Sequence, residues 1–177
     1  LRRGLLLTLE LAAAGTPMVL ALNMTDEAEA RGIEVDAGRL SSILGCPVVP
    51  TVAVRRRGVP ELIRSIRNPS EPKVSVDLGD PIDDAAGEIA AHLPVNGAHG
   101  RGLALLLLAG DDDVMERLHL PEEDRRAIGS ARAHAGTRLG EPLAYALNRR
   151  RLVAVDDILR RAVRRRSPRH SPAEALG

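Results

Sequence analysis

The chain has 177 residues, enough for one domain or one and a half with a real core, and its 25 basic and 24 acidic side chains nearly cancel. A single aromatic residue, Tyr145, argues against recognition by stacked bases, as in an OB-fold or RRM, and no nucleic-acid partner is expected. One cysteine, Cys46, excludes an internal disulfide framework and fits a reducing compartment; the longest apolar run, Leu103–Ala109, is too short to cross a bilayer.

Taken in order, Leu1–Ala14 reads as a helix with Leu5, Leu6 and Leu9 on one face, ended by Gly15 and the Thr16-Pro17 turn. The first residue is Leu rather than Met and the helical pattern starts at once, which suggests a piece of a longer protein. Met18–Leu22 is a continuous apolar run of strand length, as expected of a strand buried on both faces of a parallel sheet. Asp26–Gly32 reads as a short helical turn, and Ile33-Glu34-Val35 alternates briefly. Asp36 is placed to cap a helix over about Ala37–Leu44 that Gly45 closes. Pro47–Thr51 is the next strand, Arg55–Gly58 a polar loop, and Val59–Ile66 a helix with Pro60 in its first turn. This alternation predicts parallel strands joined by right-handed crossovers.

Arg67–Lys73 reads as a linker and Val74–Leu78 as an edge strand; beyond them the pattern is helical. Helices are expected over Pro81–Leu93, Leu103–Ala109, Asp111–Leu118, Pro121–Ala135 and Pro142–Arg166, with a loop over Pro94–Gly102. The last segment, Ser167–Gly177, is expected to be disordered. The domain expectation is therefore 1–66 for an α/β part, 67–80 for a linker with a possible edge strand, 81–166 for an all-α domain and 167–177 for a tail. Cys46, at a helix-to-strand turn, reads as a core residue. The five histidines (His92, His99, His119, His134, His170) are dispersed without ligand spacing, so no metal site is expected. No nucleophile–His–acid set stands out, and no catalytic residue is assigned.

One stretch points to a definite chemistry. Asn23-Met24-Thr25-Asp26 follows the first apolar run and fits an N-x-x-D guanine-binding pattern. Guanine carries a ring N–H and an exocyclic amine side by side; a carboxylate such as that of Asp26 accepts from both. An Asn amide offers donor and acceptor together, so Asn23 can touch the base and tie loops to one another. Thr51-Val52-Ala53 ends the next strand, where a backbone N–H can donate to the base carbonyl and a small residue admits close approach. The same residues would also serve as a plain strand end, with Asp26 as a helix cap and Thr51 as a strand terminus.

The run ALNMTDEAEARGIEVDAGRLSSILGCPVVPTVA resembles the G domain of the bacterial ferrous iron transport protein B (FeoB) family. In that family a strand ends N-M-x-D-E, a stretch like A-x-x-x-G-I-x-[IV]-D follows, and P-V-V-P-T leads into a small loop. The Met at position 24 is informative, because most GTPases place Lys there. The resemblance is close over Thr8–Ile66 and softer to about Arg166, where GLALLLLAGDDDV and EPLAYALNRRRLV are similar to segments of the family's helical domain. Two positions depart: Val52 stands where the family usually has Ser, and Gly102 where it usually has an aromatic residue.

The resemblance implies a fold of class α/β, a partial P-loop GTPase-type parallel sheet, followed by an all-α helical domain. It implies a GTP/GDP site whose guanine half is Asn23, Met24, Thr25, Asp26, Thr51, Val52 and Ala53, with Mg2+ in the intact family member. The phosphate-cradling G-x-x-x-x-G-K-[ST] does not occur in the sequence and no D-x-x-G switch occurs in the α/β part, 1–66, so the Mg2+ ligands are absent and the chain alone is not expected to hydrolyse GTP. Implied partners are the N-terminal half of the G domain and a C-terminal membrane channel, on the cytoplasmic side of the bacterial inner membrane; standing alone, the chain would be soluble and cytoplasmic. Arg149–Arg166 is rich in Arg and reads either as a solvated helix face or as a juxtamembrane contact with anionic lipid. The alternatives are part of another small-GTPase-like protein, or a non-catalytic helical interaction module.

Overall fold

A computed structural model describes residues 1–165. In chain order the elements are α1 (Arg2–Ala13), β1 (Leu20–Leu22), α2 (Thr25–Ala30), β2 (Ile33–Val35), α3 (Ala37–Leu44), β3 (Val48–Pro50), α4 (Val59–Ile66), α5 (Asp80–Ala90), α6 (Gly97–Ala109), α7 (Asp112–Arg117), α8 (Glu122–Leu139), α9 (Leu143–Ala162) and β4 (Val163–Arg165), with a 3-10 turn over Ala53–Arg55. They divide into two compact units: Leu1–Thr16 with Val74–Asp156, and Pro17–Lys73 with the described residues 157–165. An α/β part and a helical part are both present, as the sequence predicts. The packing boundary differs from the one read along the sequence, since α1 belongs to the helical unit.

The helical unit is built on α5, α6 and α8. Their buried residues include Ile82, Ala86 and Ile89 from α5, Leu105, Leu107 and Leu108 from α6, and Ile128 and Ala131 from α8. Burying Leu and Ile side chains of this kind contributes about 1.5–3 kcal/mol each. Helix α6 starts at Gly97, two turns before the predicted Leu103. The stretch Pro94–Gly102 expected as a loop is therefore helical from Gly97 onward, and a small residue is needed inside it. A Cβ on Gly102 would lie 2.5 Å from Ala14 Cβ, so glycine lets α6 approach the end of α1.

Val74–Leu78 belongs to no strand among the described residues. Val74, Val76 and Leu78 are the more buried residues and Ser75 and Asp77 the exposed ones. The alternation that suggested an edge strand is real; it reflects burial against helices, with no ladder partner.

The α/β unit contains two small sheets. β1 and β3 are parallel, with Leu20 opposite Val48, Ala21 opposite Val49 and Leu22 opposite Pro50. Between them, Asp36 caps α3 by accepting the Arg39 N–H at 2.8 Å, and α3 ends at Gly45. β2 does not join this sheet. It pairs antiparallel with β4, Glu34 opposite Arg164, and the Asp36 N–H donates to the Ala162 carbonyl at 2.8 Å. β4 falls inside the stretch the sequence reads as one helix to Arg166; the helix ends at Ala162 because Val163–Arg165 is taken up as the partner of β2. The tail over 167–177 lies outside the described residues.

Candidate guanine-reading corner

β1 delivers Asn23 to the carboxyl end of the parallel pair, the end at which open α/β sheets present ligand-binding side chains. Met24 then turns the chain. It has φ 63° and ψ 35°, left-handed values uncommon for a residue other than glycine, and it is more than half exposed. A strained, exposed residue at a strand end is the kind of feature that clusters at ligand sites. The turn sets Thr25 at the start of α2 and Asp26 in its first turn.

The two predicted loops are bonded to each other. Asn23 Oδ1 accepts the Thr51 hydroxyl at 3.2 Å and the Ala53 N–H at 3.0 Å. Thr25 donates its N–H (3.4 Å) and its hydroxyl (3.3 Å) to the Thr51 carbonyl. The Thr51 N–H in turn donates to the Leu22 carbonyl at 2.8 Å, continuing the β1–β3 pairing. Thr51 is 3% exposed, so its polar groups need these partners.

Val52 is 1% exposed. Its N–H donates to the Arg57 carbonyl at 3.0 Å and its carbonyl accepts the Arg57 N–H at 3.2 Å. The loop is therefore closed by a backbone pair and a packed apolar side chain. Gly58 completes the closure: its φ is 77°, and a Cβ there would overlap the Pro50 carbonyl oxygen. The N–H groups of Thr51, Val52 and Ala53 are all engaged within the chain, the last of them by the Asn23 side chain.

Asp26 keeps its carboxylate at the edge of this corner. Oδ1 accepts the Glu27 N–H at 3.0 Å, and Oδ2 lies 3.7 Å from Arg55 Nη1. Arg55 was read from the sequence only as part of a polar loop. Its place beside Asp26 follows from the 3-10 turn over Ala53–Arg55, which no spacing in the sequence signals. A cleft of about 510 Å³ lies nearby, lined by Thr25, Ile33, Val35, Arg57 and Glu61 among others. Of the seven candidate residues, Thr25 alone lines it.

Five arginines of the Arg-rich stretch are engaged within the chain. Arg149 pairs with Glu141 at 2.7 Å, which raises its pKa through the hydrogen bond and the charge of Glu141. Arg150 donates to the Leu78 carbonyl, Arg151 is buried against Glu10, and Arg160 and Arg161 share Asp157. Among the described residues no group of His, Cys, Asp and Glu gathers in a metal-holding cluster, and no helix is long and apolar enough to cross a membrane.

Comparison with known proteins places the chain in a family. The family profile described as ferrous iron transport protein B matches residues 1–66, and that of the FeoB cytosolic helical domain matches residues 79–164. The Fe(2+) transporter FeoB of Salmonella typhimurium is 38% identical over 117 residues, covering 63% of this chain and 15% of that protein. The Fe(2+) transporter FeoB of Escherichia coli is 32% identical over 154 residues, covering 85% of this chain and 20% of that protein. The match thus spans about a fifth or less of the length of these relatives. Among solved structures, an S. thermophilus NFeoB variant bound to mGDP superposes with a TM-score of 0.81 at 25% identity, covering 92% of this chain and 65% of that one. The cytosolic domain of L. pneumophila FeoB gives 0.76 at 25% identity, covering 91% and 62%. The chain belongs to the ferrous iron transport protein B family, with residues 1–66 matching its transport protein B profile and residues 79–164 its cytosolic helical domain.

Proposed function

We propose that Asn23, Met24, Thr25 and Asp26, with Thr51, Val52 and Ala53, form the guanine-reading corner of a GTP/GDP site in the cytosolic regulatory part of a ferrous iron transporter. The observation that carries this reading is the grip of Asn23 Oδ1 on Thr51 and Ala53, which joins the two loops a base would lie against. Asp26 then supplies two carboxylate oxygens for the ring N–H and exocyclic amine of guanine, a charge-assisted pair that adenine cannot make. The left-handed turn at Met24 sets the angle between Asn23 and Asp26. A relative bound to mGDP supports guanine nucleotide as the ligand class.

The corner selects; it does not transfer phosphate. The sequence holds no phosphate loop, and its one D-x-x-G string, Asp84–Gly87, lies inside helix α5, so no Mg2+ ligand set and no hydrolytic step follow from its residues. Selectivity for guanine in the whole transporter would rest on these residues, with phosphate and metal handled elsewhere on the cytoplasmic side of the membrane.

The test is a titration of the 15N-labelled chain with GDP and with ADP, followed by amide shifts. GDP should move Asn23–Asp26 and Ala53, weakly because phosphate contacts are lacking, and ADP should leave them in place. In Asp26→Asn the preference should pass to XDP, whose edge replaces a donor with an acceptor. Equal responses to GDP and ADP would remove the assignment and favour a helical interaction module.

A further inference from the structure

The helical unit contains a second cleft, of about 220 Å³, bordered by α1, α6, α9 and the extended segment Val74–Leu78. Its walls are largely apolar, with Leu9, Val76 and Leu105 among them, yet two arginines, Arg101 and Arg151, also line it. The geometry points to a binding site for a small organic carboxylate with a short apolar tail. This site is independent of the guanine-reading corner.

Charge and burial carry the argument. Arg101 pairs with Asp83 at 2.6 Å and Arg151 with Glu10 at 3.0 Å, and neither carboxylate lines the cleft. The cleft therefore meets the two cations and not their counter-ions. Arg151 is 8% exposed, and Glu10, its one carboxylate partner among the described residues, is itself 40% exposed. Burial pushes the Arg151 pKa down, outweighing the opposing pull of Glu10. A buried guanidinium compensated this thinly gains from a second anion, because its fork has further N–H groups to give. Ala98, in the first turn of the 13-residue helix α6, lines the same space, and the positive end of a helix favours the same charge. The volume lies below the ~300–1,000 Å³ typical of sites for drug-sized ligands, which limits the occupant to a short chain.

The probe is sodium hexanoate, titrated into the full 15N-labelled chain at constant ionic strength, with hexanol and sodium acetate alongside. Hexanoate should give saturable shifts at Leu9, Ala13, Ser75 and Leu105, with hexanol and acetate each at least several-fold weaker. Arg101→Gln, at a partly exposed position, should weaken hexanoate about tenfold, the loss expected for one charge-assisted contact. Arg151→Lys, which keeps the charge and loses the fork, should weaken it as well; should that variant lose its dispersed spectrum, Arg101→Gln decides. Hexanol binding as tightly as hexanoate would show an apolar void only. Non-saturating shifts, or affinity unchanged in Arg101→Gln, would equally overturn the site.

Discussion

Asn23 Oδ1 lies 3.0 Å from the Ala53 nitrogen and 3.2 Å from the Thr51 hydroxyl, so one side-chain oxygen spans two loops 28 to 30 residues apart in sequence. Asn23→Ala should cost about 1–3 kcal/mol in urea unfolding, because it leaves the buried Thr51 hydroxyl without its acceptor. Thr51→Val should cost less, and the double variant less than the sum, since the two residues act through one bond. Strict additivity would mean that Asn23 does not brace Thr51.

Much of this corner was legible in the sequence. An apolar run ending in Asn23, with Asp26 three residues on, marks the strand and its end; the left-handed turn at Met24 carries no such signal. The Asp36 cap and the Gly45 stop mark α3 to the residue. What could not be read is long-range pairing. β2 is three residues long, and nothing local says that its partner is Val163–Arg165 and not β1 or β3. The same holds for α1, whose apolar face fits either unit by pattern; a Gly at position 102 admits it to the helical one. Arg55 was missed because a 3-10 turn of three residues leaves no periodic signal.

Gly102→Ala tests that close approach. The added Cβ would sit 2.5 Å from Ala14 Cβ, well inside contact distance, while the gain in helix propensity is at most about 1 kcal/mol. Overpacking of this kind costs about 1–3 kcal/mol. The thermal midpoint should therefore fall. A rise would show that α1 and α6 move apart freely.

The outer edge of β1 has a consequence for association. Leu20 donates its N–H to the Pro47 carbonyl and Leu22 accepts from the Thr51 N–H, so alternate residues face β3. Ala21 then directs its backbone groups to the other edge, where no strand pairs with β1 among the described residues, and its side chain is exposed. Such an edge invites pairing with a second chain. Ala21→Lys should lower concentration-dependent association in light scattering, leaving the unfolding midpoint within about 0.5 kcal/mol of the parent. Unchanged association would place the contact elsewhere.

Cys46 supplies a pH dependence whose sign can be worked out. It is 2% exposed, next to the β3 strand, and burial raises its thiol pKa. In the unfolded chain the thiol ionises near its ordinary value of about 8.5. Below that pH both states are protonated and Cys46 adds no slope. Above it the unfolded state releases its proton while the folded state holds on, so the unfolded state binds fewer protons and stability falls as pH rises. The decline should run from the ordinary thiol pKa upward to the raised folded value. Comparing urea unfolding of the parent and Cys46→Ala between pH 7 and 10 isolates the term. The variant is less stable at pH 7, having lost buried volume, and the gap should narrow toward pH 10 as the parent loses the thiol contribution. A constant gap across that range would mean that the folded thiol ionises with the unfolded one, and native-state alkylation of Cys46 at pH 8 would then be fast instead of slow.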